Sequence, residues 1–284
     1  ILDTSFLRSR GIKSLFTVHN IPPEECSISW KGDLFWRKWK DDIRKLGVQA
    51  INHKRLKKQR FDIYIVPSIY VKSRLNKILP NAEISVIPHG GAELVANNEL
   101  KKFLPEETIN ILTVGGIVPH KRQNWIPQIA DFLRKNNIKF EWTIAGPNRN
   151  NNYYNFVNNE IKKLNLNEQV KLVGALSNEK LIEQYRKSNL YVQLSSEEGF
   201  CMTVLDAIAY KLPVIASPVG AIPEMLEEVD GVILDPNLDN AKNVILHYIK
   251  ILDTWGPTED MLSDFCDKYR WSTTNNLHKY LYGK

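Results

Sequence analysis

Three cysteines in 284 residues, Cys26, Cys201 and Cys266, are too few and too scattered for a disulfide framework. No apolar run approaches the ~20 residues of a membrane-spanning helix, and no secretory signal is visible. No Cys/His cluster has zinc-like spacing, and there is no internal repeat. A reducing cytoplasm is the expected compartment. What is present is the composition of a globular protein, 43% hydrophobic and 25% charged residues. The length allows one large or two medium domains.

Short apolar runs recur along the chain: ILTV, WTIA, VKLV, LYVQL, PVIAS and GVILD. Helical patterns separate them at short intervals. That alternation predicts βαβ units and a parallel sheet covered on both faces. Ligands in such sheets bind beyond the carboxyl ends of the strands. The turns carrying Gly115, Gly146, Gly174 and Gly199 are all expected there. Each glycine alone is ordinary turn punctuation; four at one edge point to a nucleotide crevice.

The densest signal is SSEEGFCMTVLDAIAYKLPVIAS, residues 195–217. Glu197, Glu198 and Gly199 stand directly before an apolar helical run over 202–210, and that run carries Asp206. A strand-end loop feeding a helix start presents unpaired N–H groups and a positive dipole end, suited to phosphate. Glu198 and Asp206 are about two helical turns apart and so are able to flank a ligand held at the helix start.

This stretch resembles the Glu-(seven residues)-Glu signature of retaining nucleotide-sugar glycosyltransferases of the GT-B fold, family four, with Asp206 in place of the second Glu. The resemblance is continuous from about residue 109 to 236. ILTVGGIVPHK is similar to the family's strand end with a Gly-Arg pair and a later Lys. Lys121 matches that Lys and Gly115 the glycine, whereas Gly116 stands where the family has Arg. Arg122 is weighed as the substitute cation. Cys201 occupies a position where the family commonly has Gly, and is expected to pack rather than to react.

The resemblance implies an α/β GT-B fold, with two Rossmann-like domains whose parallel sheets face across a cleft. Residues 1–92 would form a partial acceptor-side domain and 93–269 the donor-binding domain. The helix at 270–284, anchored by Trp271, would return to the first domain. It also implies roles. Gly116, Lys121, Arg122 and the helix start at Phe200, Cys201, Met202 and Thr203 would hold the diphosphate. Glu198 would hold sugar hydroxyls and Asp206 the ribose, with Gly146, Gly174, Ala175 and Leu176 about the nucleoside. His19, after the strand SLFTV, would face the donor sugar, while His89, Gly90 and Gly91 read as a hinge. No metal or cofactor is expected; the nucleotide-sugar is a substrate.

The implied reaction is transfer of a hexose from a UDP- or GDP-sugar to a hydroxyl of a glycan or lipid-linked acceptor, with retention. The alternative is a catalytically weak sugar-nucleotide-binding subunit that requires a partner chain. The resemblance also implies a further N-terminal stretch ahead of Ile1, absent or supplied by that partner. An epimerase of the same architecture is a third, weaker reading. Residues 31–60 hold eleven Lys or Arg against three Asp, with Trp36 and Trp39 interleaved and Trp30 just ahead. They read either as a solvated helix with core-facing tryptophans or as an element lying on the inner face of a membrane; a nucleic-acid partner is set aside.

Overall fold

The computed structural model describes residues 14–19, 61–91, 107–235 and 237–282. The chain divides into two compact units, Ile1–Pro88 and His89–Lys284. The boundary falls at the segment read as a hinge. The closing stretch 270–284, expected to return to the first domain, is grouped with the second unit. The basic, tryptophan-containing segment 30–60 lies outside the described residues.

In the first unit, β1 (Leu15–Thr17), β2 (Ile63–Val66) and β3 (Ile84–Val86) form a parallel sheet in that order. Between β2 and β3 runs α1 (Ile69–Ile78). Ser68 caps it by accepting from the Val71 amide, which satisfies one of the orphan donors of the first turn. Its buried residues Val71, Leu75 and Ile78 share one face and pack with Tyr64 and Val66 of β2. His19 is exposed, two residues beyond β1.

The second unit holds all six strands expected from the apolar runs: β4 (Ile109–Val114), β5 (Phe140–Ala145), β6 (Val170–Gly174), β7 (Leu190–Gln193), β8 (Val214–Ala216) and β9 (Val232–Ile233). All are parallel, in the order β6-β5-β4-β7-β8-β9. Alternate residues serve two cores, one on each face. Leu112, Val114, Tyr191, Val214 and Ala216 enter one; Ile109, Ile111, Leu190, Val192 and Ile215 enter the other. This is why these strands read as unbroken apolar runs rather than as alternating ones.

The crossovers are α2 (Ile126–Lys135), α3 (Asn151–Lys163), α4 (Asn178–Lys187), α5 (Met202–Ala209) and α6 (Ile222–Leu226). Then follow α7 (Leu238–Lys250), α8 (Glu259–Tyr269) and α9 (Trp271–Tyr282). In α2, Ile126, Ile129, Ala130 and Leu133 recur at i, i+3, i+4 and i+7 and are all buried. Asn150 caps α3 and Ser177 caps α4, each side chain accepting from an amide three residues on. Among the described residues, no helix is long and apolar enough to cross a membrane.

Candidate functional site

The strand order runs in one direction from β4 through β5 to β6, and in the other through β7 to β9. The reversal lies between β4 and β7, the position at which an open parallel sheet leaves a crevice at its carboxyl edge. Gly115 follows β4 and Gly146 follows β5, while Gly174 ends β6. They are laced together: the Gly115 amide donates to the Ala145 carbonyl at 2.9 Å, and that of Gly146 to the Gly174 carbonyl at 2.8 Å. Ala175 is exposed and Leu176 half-buried beside this edge.

Two loops enter the crevice from β4 and β7. After Gly116 the chain makes two short 3-10 turns, Pro119–Lys121 and Gln123–Trp125. The buried Gln123 donates through Nε2 to the Gly116 carbonyl at 2.9 Å. The β7 loop is stitched to the first turn, since the Ser196 amide donates to the His120 carbonyl at 2.7 Å. These bonds bring Lys121 and Glu198 together, Nζ to Oε1 at 2.5 Å, with side chains only 16% and 10% exposed.

Glu198 is therefore not the solvated cleft carboxylate that a loop position suggests. Ser195 Oγ donates to Oε1 at 2.7 Å and Gln193 Nε2 reaches the same oxygen at 3.3 Å. Gln193 is held in turn by the buried Tyr191 hydroxyl, which donates to its Oε1 at 3.0 Å. All three partners fall on Oε1; among the described residues no hydrogen bond falls on Oε2. Tyr191, Gln193 and Ser195 are the residues that sequence reasoning missed here. Their signal was the alternation Tyr-x-Gln-x-Ser at the end of a strand otherwise wholly apolar, which sets three polar groups on one face.

Gly220, also unforeseen, fixes the loop from its other side. It has φ +61, and a Cβ there would stand 2.6 Å from the carbonyl oxygens of both Glu198 and Gly199. The next amide, of Ala221, donates to the Gly199 carbonyl at 3.1 Å.

Cys201 begins α5 with φ +68, a left-handed conformation that favours glycine, and makes no side-chain cap. The first-turn amides of Met202 and Thr203 thus meet no capping side chain. Cys201 is buried, and burial pushes its thiol up to about 12, as packing rather than reactivity requires. Phe200 is buried with its ring edge-on to His89 at 5.0 Å. Arg122, weighed as the substitute cation, holds its guanidinium 4.5 Å over the Trp125 ring. Beside Gly116 stands a different arginine: a Cβ on Gly116 would lie 3.1 Å from Arg149 Cδ and 3.4 Å from its Nε.

Asp206 sits in α5, eight residues beyond Glu198, and burial pushes its carboxyl up to about 6. An acid raised on folding contributes stability that is complete below its ordinary value near 3.8 and lost as pH rises through about 6. At pH 7 its charge is a cost to the empty protein. Asp206→Asn is expected to raise unfolding stability at pH 7 by about 1–3 kcal/mol, at ~1.4 kcal/mol for each tenfold change in the acidity constant, and to add nothing below pH 4. Denaturant titrations at the two pH values check this; equal gains at both would remove the buried charge as the cause.

The pattern over residues 96–264 matches the family model described as glycosyl transferases group 1, across more than half of the chain. The chain belongs to the glycosyl transferases group 1 family. Its fold class is the α/β GT-B class shared by structural neighbours of that family. An uncharacterized glycosyltransferase of Methanocaldococcus jannaschii is 26% identical over 212 residues, covering 74% of this chain and 56% of that protein. A phosphatidylinositol N-acetylglucosaminyltransferase subunit of Arabidopsis thaliana is 25% identical over 123 residues, covering 43% of this chain and 27% of the relative. Among solved structures, an Anabaena protein in complex with UDP and glucose superposes with a TM-score of 0.68 at 16% identity, covering 98% of this chain and 73% of that one. The chain thus spans about half, or less, of the length of these two curated relatives. Among the described residues no group of three or more His, Cys, Asp or Glu gathers as a metal site would require.

Proposed function

We propose that this chain is a retaining hexosyltransferase whose donor, a UDP- or GDP-sugar, binds at the carboxyl edge of the second unit's sheet. The observation that carries the reading is the Lys121–Glu198 pair at the strand-order reversal, between glycine turns and the start of α5. Lys121 and the amides at Met202 and Thr203 bind the diphosphate. They stabilise the charge that grows on its bridging oxygen, without a metal. Glu198 Oε2 accepts from sugar hydroxyls, and Asp206 from the ribose. Backbone groups at Gly146, Gly174, Ala175 and Leu176 meet the nucleoside.

In the transfer, the acceptor hydroxyl attacks the anomeric carbon on the face from which the diphosphate leaves. The bond from that carbon to the phosphate oxygen breaks, and the departing oxygen takes the acceptor's proton. Configuration is retained without an enzymic nucleophile. His19 is proposed as a further catalytic residue of the same transfer. A uridine nucleotide agrees with the UDP and glucose bound by the Anabaena neighbour. A lipid-linked acceptor agrees with the name of the Arabidopsis relative, and the word subunit in that name agrees with a partner chain. The basic segment 30–60 is the element proposed to meet a membrane surface.

Calorimetric titration with UDP, GDP and ADP and their sugar conjugates, without added metal, tests the donor site. A ligand that binds only the folded chain stabilises it by mass action, and one base is expected to bind selectively. Because an ionised Asp206 accepts from the ribose more strongly than a protonated one, affinity is expected to fall as pH drops below about 6. Binding without any turnover of the conjugate would favour the catalytically weak subunit. No binding of any nucleotide would sink the donor-site reading.

A further inference from the structure

Lys121 alone is a poor match for a diphosphate. In the empty chain its ammonium is neutralised by Glu198 at 2.5 Å, so the pair brings no net charge to a doubly or more highly charged ligand. The family's usual second cation is missing at Gly116. We propose that Arg149, from the Asn-rich loop after β5, replaces it: the guanidinium reaches over Gly116 and binds the diphosphate of the donor together with Lys121. This rests on the donor-site reading and names a further residue of that site.

Three observations carry it. The first is position. The Arg149 chain fills the space that a side chain at residue 116 would occupy, with Cδ 3.1 Å, Nε 3.4 Å and Cγ 3.5 Å from the place of its Cβ. Lys121 lies against the preceding glycine, its Nζ 3.7 Å from where a Cβ on Gly115 would be. Two cations thus flank one dipeptide turn at the carboxyl end of β4.

The second is how the loop is fixed. Ile117 and Asn148 form a parallel bridge, and the Ile117 amide donates to the Pro147 carbonyl at 2.9 Å. On the far side, Asn150 caps α3, and Asn148 Oδ1 accepts from the Asn150 amide at 3.2 Å. Arg149 therefore rides between two anchored residues, which holds its backbone while its side chain stays exposed.

The third is that this head is unspent. Among the described residues no carboxylate pairs with Arg149, in contrast to Arg134 and Arg270, which meet Asp131 and Asp267. A guanidinium presents a planar fork that matches phosphate oxygens, which an ammonium does not. The arrangement also explains how a glycine is tolerated at 116. An arginine there would crowd Arg149, which would have to shift aside to admit it.

The test is calorimetric, on the whole chain, with UDP and GDP against uridine and guanosine. Arg149→Ala is expected to weaken the preferred nucleoside diphosphate about tenfold or more, the scale of one charge-assisted contact, with the nucleoside unchanged. Arg149→Lys is expected to restore part of the loss. Gly116→Arg in the Arg149→Ala background is expected to restore most of it, and the same change in the wild-type background to add no affinity. If Arg149→Ala binds the diphosphate as tightly as wild type while Lys121→Ala does not, the proposal falls and the donor site stands. Equal loss of nucleoside and diphosphate would likewise overturn it. If wild type binds none of the four, the donor-site reading falls and takes this proposal with it.

Discussion

Replacing Glu198 with Gln is expected to lower the transfer rate about 10²–10³-fold, the scale of one preorganised polar group lost from a site. The fold is expected to survive. Gln keeps the shape and can still accept from Ser195 Oγ at the position of Oε1. It loses the charge that pairs Lys121 and that is proposed to bind sugar hydroxyls through Oε2. The alanine variant is a poorer probe, because Lys121 and Gln193 would be left facing a gap in a largely buried network; that costs about 1–3 kcal/mol per orphaned group. Initial rates with the donor found by titration, alongside thermal unfolding of both variants, separate the two effects. A folded Glu198→Gln chain that turns over at the wild-type rate would sink the role assigned to Glu198. Nucleoside diphosphate affinity is expected to hold or rise in that variant, since Lys121 is released from its partner.

Gly146→Ala is expected to be the most damaging change to the scaffold. A Cβ at 146 would stand 2.0 Å from the Gly115 carbonyl oxygen. Neither residue can step back, because the Gly115 amide is bound to Ala145 and the Gly146 amide to Gly174. With φ +152 the backbone is also one that an alanine rarely adopts. The combined cost is set by overpacking and strain, about 3 kcal/mol or more, and a midpoint lower by several degrees. Since β4 and β5 must part to make room, nucleotide affinity should fall with it. Gly174→Ala is the control. It too has positive φ, at +71, but nothing lies within 4 Å of its Cβ, so only the left-handed penalty of about 1–2 kcal/mol applies. Unfolding midpoints and UDP titration on both variants rank them; equal losses would show that backbone conformation, not the close approach, sets the requirement for glycine.

The sheet was legible because its strands are buried on both faces. Runs such as ILTV and WTIA satisfy two cores at once and leave nothing polar to blur them. The glycine edge and the helix start at Met202 were legible for another reason: turn chemistry is local. Pairing across the crevice was not. Lys121 and Glu198 could each be picked out, but their mutual bond depends on the sheet bringing β4 beside β7. A carboxylate in a strand-end loop is usually solvated, whereas the chain builds a largely buried, hydrogen-bonded one. Gly220 was silent because its neighbours are the carbonyls of Glu198 and Gly199, distant in the chain. Arg149 was hidden among asparagines that read as a polar approach to a helix. That approach is what they form, and the one cation in it was passed over. The segment 30–60, the most conspicuous feature of the composition, lies outside the described residues.

The seam between β4 and β7 has a consequence for how the molecule assembles. β4 and β5 are joined over their whole length, Ile109 to Phe140 through Val114 to Ala145, whereas β4 and β7 share only the pairings Ile111 to Leu190 and Leu112 to Tyr191. Thr113 Oγ1 reinforces the seam by donating to the Val192 carbonyl at 2.7 Å. To reach it the chain must first run through α2, β5, α3, β6 and α4. Closing so long a loop for so few backbone bonds makes the seam a late event in folding, and an early one in local opening. The Lys121–Glu198 pair spans that seam, so a chain with every other strand in register still lacks it until the two halves of the sheet have met.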